Sequence, residues 1–513
     1  MRKLQPWRLA AILGIAALFL INVYRAATQS VTHDEGTMFE WMLAGPWSLL
    51  LTSHGNHHVL SDFLCKFTIS LFGLSEISLR IPTLLGGLLY FYAVYRLSLL
   101  LFGETFQFLL SVAFLCLNPF VLDYLVCARG YGLSLGFFFY ALYLLARHVQ
   151  EPSPRLLNKS GAALGISIGC NVIMIFPGAA LVASFLALLL WDSFVRPPVT
   201  DSTAPPSKKE RRRKSRTIAA ADPRAARWRQ ALLHFVLPAL AVAGIVSMLP
   251  DRLIEVEAGF TGPPTLAAIL QTLVRFSMFH SPTGFAGMAS SLHEETATNI
   301  VAGIVVPAAL VALLAVALRI AIRWLRVRCF DALPFADRFL LLITGTVKTA
   351  VILIVVSRYV FGQPYPEMRT AMYWIPVLSL ASLCVLRRVP APMAVVILLL
   401  CVVQYATQFN TRYFAEWTYC AAGKDMMQMA RADHAATPEK TVRVGATWQL
   451  EPVINFYRAA WGLRWMAPVY RESPDNAFDY YLLAMSDTPL VDSLHLKTLL
   501  RDPLSGTVLA KPQ

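Results

Sequence analysis

Residues 9–37, LAAILGIAALFLINVYRAATQSVTHDEGT, set an apolar run ahead of an acidic pair, with a short mixed segment between. With Met1-Arg2-Lys3 ahead of it, the run from about Leu9 to Val23 resembles a secretory leader, but no small-residue cleavage site precedes His33-Asp34-Glu35. It is read as a retained first membrane helix with chemistry-bearing residues at its far end. Further apolar runs suited to a bilayer, which takes about 17 to 25 residues per helix, lie near 77–101, 105–122, 130–146, 231–250, 298–318, 339–357, 370–386 and 391–409. The stretch 160–194 is about twice too long for one crossing and carries Asn171 and Pro177 near its middle, so two short helices are expected there. The fold class that follows is mainly α, a polytopic transmembrane helical bundle of about eleven spans.

Composition points the same way. Of 513 residues, 56% are hydrophobic and 15% charged, against about 45 to 50% apolar content in soluble domains. A formal charge of +14 would suggest nucleic acid in a soluble chain, but here the positive residues gather in a few loops between apolar runs, which is a topological signal. With a cytoplasmic N-terminus, the basic stretches 147–159, 196–229 and 319–338 and the pair Arg387-Arg388 all fall on the cytoplasmic face. The loop 192–230, with eleven Lys/Arg against four Asp/Glu and the cluster Lys208 to Lys214 at its centre, is expected to be disordered and drawn to anionic lipid headgroups, with no nucleic-acid role. The eight cysteines are scattered, mostly in apolar runs, and read as small hydrophobes.

That orientation places 30–76, 251–297 and everything after about residue 409 outside. Two domains are expected: a membrane domain over 1–409 and an extracytoplasmic α/β domain over 410–513, with strands at 442–447, 463–469, 480–484 and 507–510 and a helix at Glu451–Ala460.

Three outer elements carry residues fit for chemistry. The first loop holds His33-Asp34-Glu35, then Glu40, His54, His57, His58 and Asp62. Adjacent carboxylates suit a general base or a divalent-ion site, and equally a helix cap with a first-turn acid. The histidine run matches no standard zinc spacing, so a divalent metal ion is admissible but not required. The second element is Asn118-Pro119-Phe120 to Cys127-Ala128-Arg129-Gly130-Tyr131, where Arg129 suits either an interfacial anchor or a phosphate contact. The third is Tyr365-Pro366-Glu367-Met368-Arg369, where outer positive charge runs against the topology rule and calls for an anionic headgroup or ligand. Lys348, near the middle of a span, must face a partner or a cavity.

Taken in order, His33-Asp34-Glu35-Gly36, Asn56-His57-His58-Val59-Leu60, the segment LFGLSEISLRIP at 71–82, and Asn118-Pro119-Phe120 to Arg129-Gly130-Tyr131 resemble the GT-C membrane glycosyltransferases. The likeness is nearest to the branch with bacterial protein mannosyltransferases, the lipid A aminoarabinose transferase and Rgt-like enzymes. It spans roughly residues 1–190 and recurs around Arg369. The usual Pro-Pro after the histidine region is replaced by His57-His58.

The resemblance implies transfer of a sugar from a polyprenyl-phosphate carrier to an acceptor hydroxyl on a glycan, lipid or protein, at the outer face of the cell membrane. It implies catalytic roles for Asp34 and Glu35, and substrate binding by His57, His58, Arg129, Tyr131 and Arg369. A transporter or flippase for a lipid-linked or anionic substrate is the competing expectation, and a receptor-like protein a third.

Overall fold

The computed structural model describes residues 5–51, 58–195, 223–247, 262–279, 291–436, 441–475 and 477–513. The basic cluster at 208–214, the histidines at 54 and 57, and residues 251–261 and 280–290 of the loop 251–297 lie outside them.

Helix α1 (Pro6–Thr28) opens with proline in its first turn, where the missing N–H costs nothing. A short extended segment follows, and α2 (His33–Met38) then starts on a reciprocal cap. The Thr32 hydroxyl accepts the Glu35 N–H at 3.1 Å, and the Glu35 carboxylate accepts the Thr32 N–H at 2.9 Å. After α3 (Val59–Phe72), Ser75 and Ser78 form a similar cap for the 27-residue α4 (Glu76–Phe102). Then come α5 (Phe106–Cys116), α6 (Pro119–Tyr124), α7 (Tyr131–Gln150), α8 (Pro154–Cys170) and α9 (Ile175–Val195). Helices α4 and α7 pack through glycine: a Cβ on Gly136 would stand 2.3 Å from the Gly86 carbonyl oxygen. Small residues at such crossings let backbones approach where lipid supplies no hydrophobic drive.

The second half continues with α10 (Leu237–Ser247), α11 (Leu266–Met278), α12 (Val306–Val327), α13 (Phe335–Phe361), α14 (Trp374–Leu386) and α15 (Ala391–Gln408). Among the described residues, nine helices are long and apolar enough to cross a membrane. The remaining two of the expected crossings are shorter, α5 and α8. The run 105–122 breaks because Asn118 caps a new helix, its side chain accepting the Val121 N–H at 3.1 Å, and Pro119 cannot extend the old one. The run 160–194 divides as expected, at Asn171.

After α15 the chain forms α16 (Gly423–His434), β1 (Val444–Ala446), α17 (Glu451–Ala460), β2 (Tyr480–Leu483), β3 (Leu496–Arg501) and β4 (Val508–Pro512). The four-stranded sheet has order β1-β2-β4-β3, with β1 parallel to β2 and the other pairs antiparallel. The strand expected at 463–469 is absent. Gly462, with φ of +59°, turns the chain, and only Val442 bridges to Met466. The edge strand β3 was not expected, because LKTLLR lacks a period of two. Helix α17 packs on α2: a Cβ on Gly36 would lie 2.6 Å from the Pro452 backbone.

Candidate active site

Asp34 occupies the second position of α2 and is 4% exposed. One of its carboxylate oxygens lies 3.4 Å from Arg129 Nε and 3.2 Å from Arg369 Nη2. Residues distant in sequence therefore meet at a single carboxylate. Arg129 is almost wholly buried and sits in the turn between α6 and α7. That turn closes through Gly130 at φ +73°, a left-handed conformation natural to glycine. A Cβ there would also strike the Cys170 carbonyl oxygen at 2.5 Å. Arg369 lies in a tight turn, Met368–Ala371, and its side chain remains 30% exposed, which makes it the accessible flank of the site. Burial pushes the Asp34 carboxyl up, but the two guanidiniums, and to a lesser degree His33, outweigh it and hold the pKa below the usual carboxylate value.

The far side of Arg369 pairs with Glu416, which also accepts the Tyr124 hydroxyl. Burial raises the Glu416 pKa against the pull of Arg369. Trp417 hydrogen-bonds Asp34 and sets its ring 5.8 Å from the Arg369 guanidinium. These two residues are fixed by a second buried pair: Arg25 binds Asp123, whose other oxygen accepts the Ala415 N–H at 2.7 Å. Tyr131 packs edge-on to Tyr124 at 5.1 Å and to His58 at 5.6 Å. His57 lies outside the described residues.

Glu35 points elsewhere. It is fully buried, receiving Arg80 Nε at 2.9 Å and Nη2 at 2.7 Å, and the N–H groups of Ala128 at 2.8 Å and Thr32 at 2.9 Å. Arg80 spends its remaining donors on the carbonyls of Ala26, Gln29 and Ser30. This cluster ties the end of α1, the start of α2, α4 and the turn that presents Arg129 into one unit. The donors around Asp34 are cations and both Glu35 oxygens are taken, so these groups do not fit a dication. Among the described residues, no three His, Cys, Asp or Glu gather as metal ligands.

Sequence reading missed Glu416 and Trp417, whose one signal was position, an acid among aromatics just after the last span at 413–419, and gave no role to Tyr124, which lies within the second outer element. His33 supports the site from behind, its Nδ1 2.8 Å from the Gln449 carbonyl oxygen and its ring edge-on to Trp448 at 5.3 Å. Burial lowers its pKa below the ordinary imidazole value.

Residues 56–203 match the family described as dolichyl-phosphate-mannose-protein mannosyltransferase. No curated protein matches the chain. Among solved structures, the chain is similar to ArnT from Cupriavidus metallidurans in the apo state, at 13% identity and TM-score 0.47, over 97% of each chain. It is similar also to AglB, an archaeal oligosaccharyltransferase from Archaeoglobus fulgidus, at 14% identity and TM-score 0.42, over 99% of this chain and 74% of that one. A third is the arabinosyltransferase EmbB from Mycobacterium smegmatis, at 12% identity and TM-score 0.41, over 76% of this chain and 32% of that one. The family match over residues 56–203 accords with the resemblance carried by the motifs, three of which, Asn56 to Leu60, the segment at 71–82 and Asn118 to Tyr131, fall inside it.

Proposed function

We propose that this protein moves a sugar from a polyprenyl-phosphate carrier to an acceptor hydroxyl of a glycan, lipid or protein, at the extracytoplasmic face of the cell membrane. The reading is carried by the buried Asp34 carboxylate held between Arg129 and Arg369. A sugar on a lipid phosphate already has a good leaving group, so a catalyst must remove a proton on one side and neutralise charge on the other. Asp34 takes the acceptor's O–H proton while the acceptor oxygen bonds to the anomeric carbon. The bond from that carbon to the phosphate oxygen breaks with its electron pair, and the phosphate gains a negative charge that Arg129 and Arg369 meet. One displacement inverts the anomeric centre.

The arginines that lower the Asp34 pKa also make it a weak base when the site is empty. A carrier phosphate bound to them shares their charge and restores basicity, so donor binding prepares the base. Glu416, raised by burial, takes up a proton more readily than an ordinary carboxylate and so releases Arg369 to the phosphate. Tyr131 and His58 form an aromatic wall suited to a sugar face. Glu35 is assigned a positioning role in place of a catalytic one, since it accepts the N–H of the residue before Arg129.

The test uses the purified full chain in lipid with a panel of polyprenyl-phosphate sugars. The native chain is expected to release polyprenyl phosphate, with Asp34→Asn slower by about a hundredfold or more. Arg369→Ala is expected to raise the donor KM by about tenfold or more, as fits loss of a charge-assisted contact. Near-normal turnover by Asp34→Asn removes Asp34 from the chemistry. Carrier movement between leaflets without sugar release favours the flippase.

A further inference from the structure

Lys348 plays no part in the site described above. It stands at the centre of the 27-residue α13, ten residues from Arg338 on one side and ten from Arg358 on the other. At the helical rise, each of those charges is about 15 Å away along the axis. Apart from Lys348, the stretch 339–357 is uncharged. If the arginines mark the two edges of the apolar layer, the four-carbon stem of lysine reaches neither.

The side chain is exposed and makes no hydrogen bond or ion pair among the described residues. The opposite face of α13 is the packed one. There Ile343, Thr346, Ala350 and Ile354 are buried. On the outward side, Lys348 stands with Ile352, Val356, Tyr359 and Val360, all exposed. Leu341 and Thr344, one to two turns earlier on the same side, are buried, so this is an exposed apolar stripe that begins at the ammonium and runs to the end of α13.

An ammonium at that depth is costly unless a counter-charge meets it. A second copy of this chain has none to offer at that level. In the described spans the carboxylates stand at the ends: Glu76, Asp192, Glu294, Glu295 and Asp337. Lipid phosphates lie at the surface.

We propose that the outward face of α13 docks a transmembrane helix of another membrane protein, one that carries a single carboxylate midway along an apolar segment and pairs it with Lys348. Lys348 is not among the cations that hold Asp34, so such a partner brings the protein into an assembly without taking part in transfer.

The probe is a labelled synthetic polyleucine transmembrane peptide with one central Glu, mixed with the labelled full chain in vesicles and followed by energy transfer. Association is expected to be about tenfold tighter than for the same peptide with central Leu, and to fall to the Leu level with Lys348→Met. A charge swap guards against misfolding: Lys348→Glu is expected to bind the peptide with a central Lys in place of the Glu peptide. Equal binding of Glu and Leu peptides, or binding unaffected by Lys348→Met, overturns the proposal. Loss of sugar transfer in an intact Lys348→Met protein also overturns it, by placing Lys348 on the substrate's path. The association readout does not require that the chain transfer sugar.

Discussion

Neighbouring residues on a helix point about 100° apart, so Asp34 and Glu35 cannot face the same space. Asp34 meets two arginines at an accessible edge, while Glu35 turns into the interior against Arg80. The sequence shows both acids, and Arg80 within LFGLSEISLRIP at 71–82, yet pairing Glu35 with Arg80 needs a contact across 45 residues that no local spacing encodes. Glu416 was illegible for the same reason, since a lone acid after a span reads as surface. The Glu35–Arg80 pair makes a quantitative test possible. A buried charge left alone costs about 3–5 kcal/mol, whereas removing both partners is close to neutral. Arg80→Met is therefore expected to lower unfolding stability in detergent by about that amount. The double variant Arg80→Met with Glu35→Leu is expected to recover most of it. Equal losses in the two proteins would mean that the pair does not carry the junction.

At the scale of elements, caps decide where helices begin. Thr32 with Glu35 and Ser75 with Ser78 are visible as sequence signals, and both caps are present. Asn118-Pro119 is an equally plain signal, but hydropathy alone reads through it and yields one span where α5 and α6 stand. The contact between α2 and α17 was hidden, because nothing in Gly36 or Pro452 announces the other. Glu40, just beyond α2, reports on that contact. Burial, and to a smaller extent the nearby Glu451, raise its pKa to about 7 from an ordinary 4.5, against the opposing pull of a hydrogen bond from Asn455. Arg471 and Arg458 face it and also pull it down. A carboxyl with a raised folded pKa binds its proton more tightly folded than unfolded. Its stabilising effect is full below about 4.5 and is lost as pH climbs through about 7. Glu40→Gln is thus expected to melt at a higher temperature than the native chain above pH 7, with the gap closing toward pH 4.5. A constant gap across that window would show that Glu40 does not titrate against the α2–α17 contact.

At the scale of the whole molecule, the apolar runs gave the spans well because lipid enforces length and hydropathy together. Orientation rests on charge alone, and the structure sharpens how to test it. Asp34, Arg129 and Arg369 converge at one end of the bundle, joined there by the segment after α15 through the Gln29 side-chain N–H to the Tyr413 carbonyl, 3.3 Å. Helix α7 leaves Arg129 and runs for 20 residues, about 30 Å, before α8 begins beside Arg155. Arg155, at the far end of α7, and Arg412, beside the Tyr413 that binds Gln29, are both exposed and mark opposite ends. If basic loops stay inside, a membrane-impermeant thiol reagent on intact cells labels Arg412→Cys and spares Arg155→Cys until the membrane is opened. Six of the eight native cysteines are buried, which keeps the background low. The reverse pattern would put the Asp34 site in the cytoplasm. The donor would then have to be drawn from the inner leaflet, and the basic loops would be exposed outside, against the charge rule that fixed the orientation.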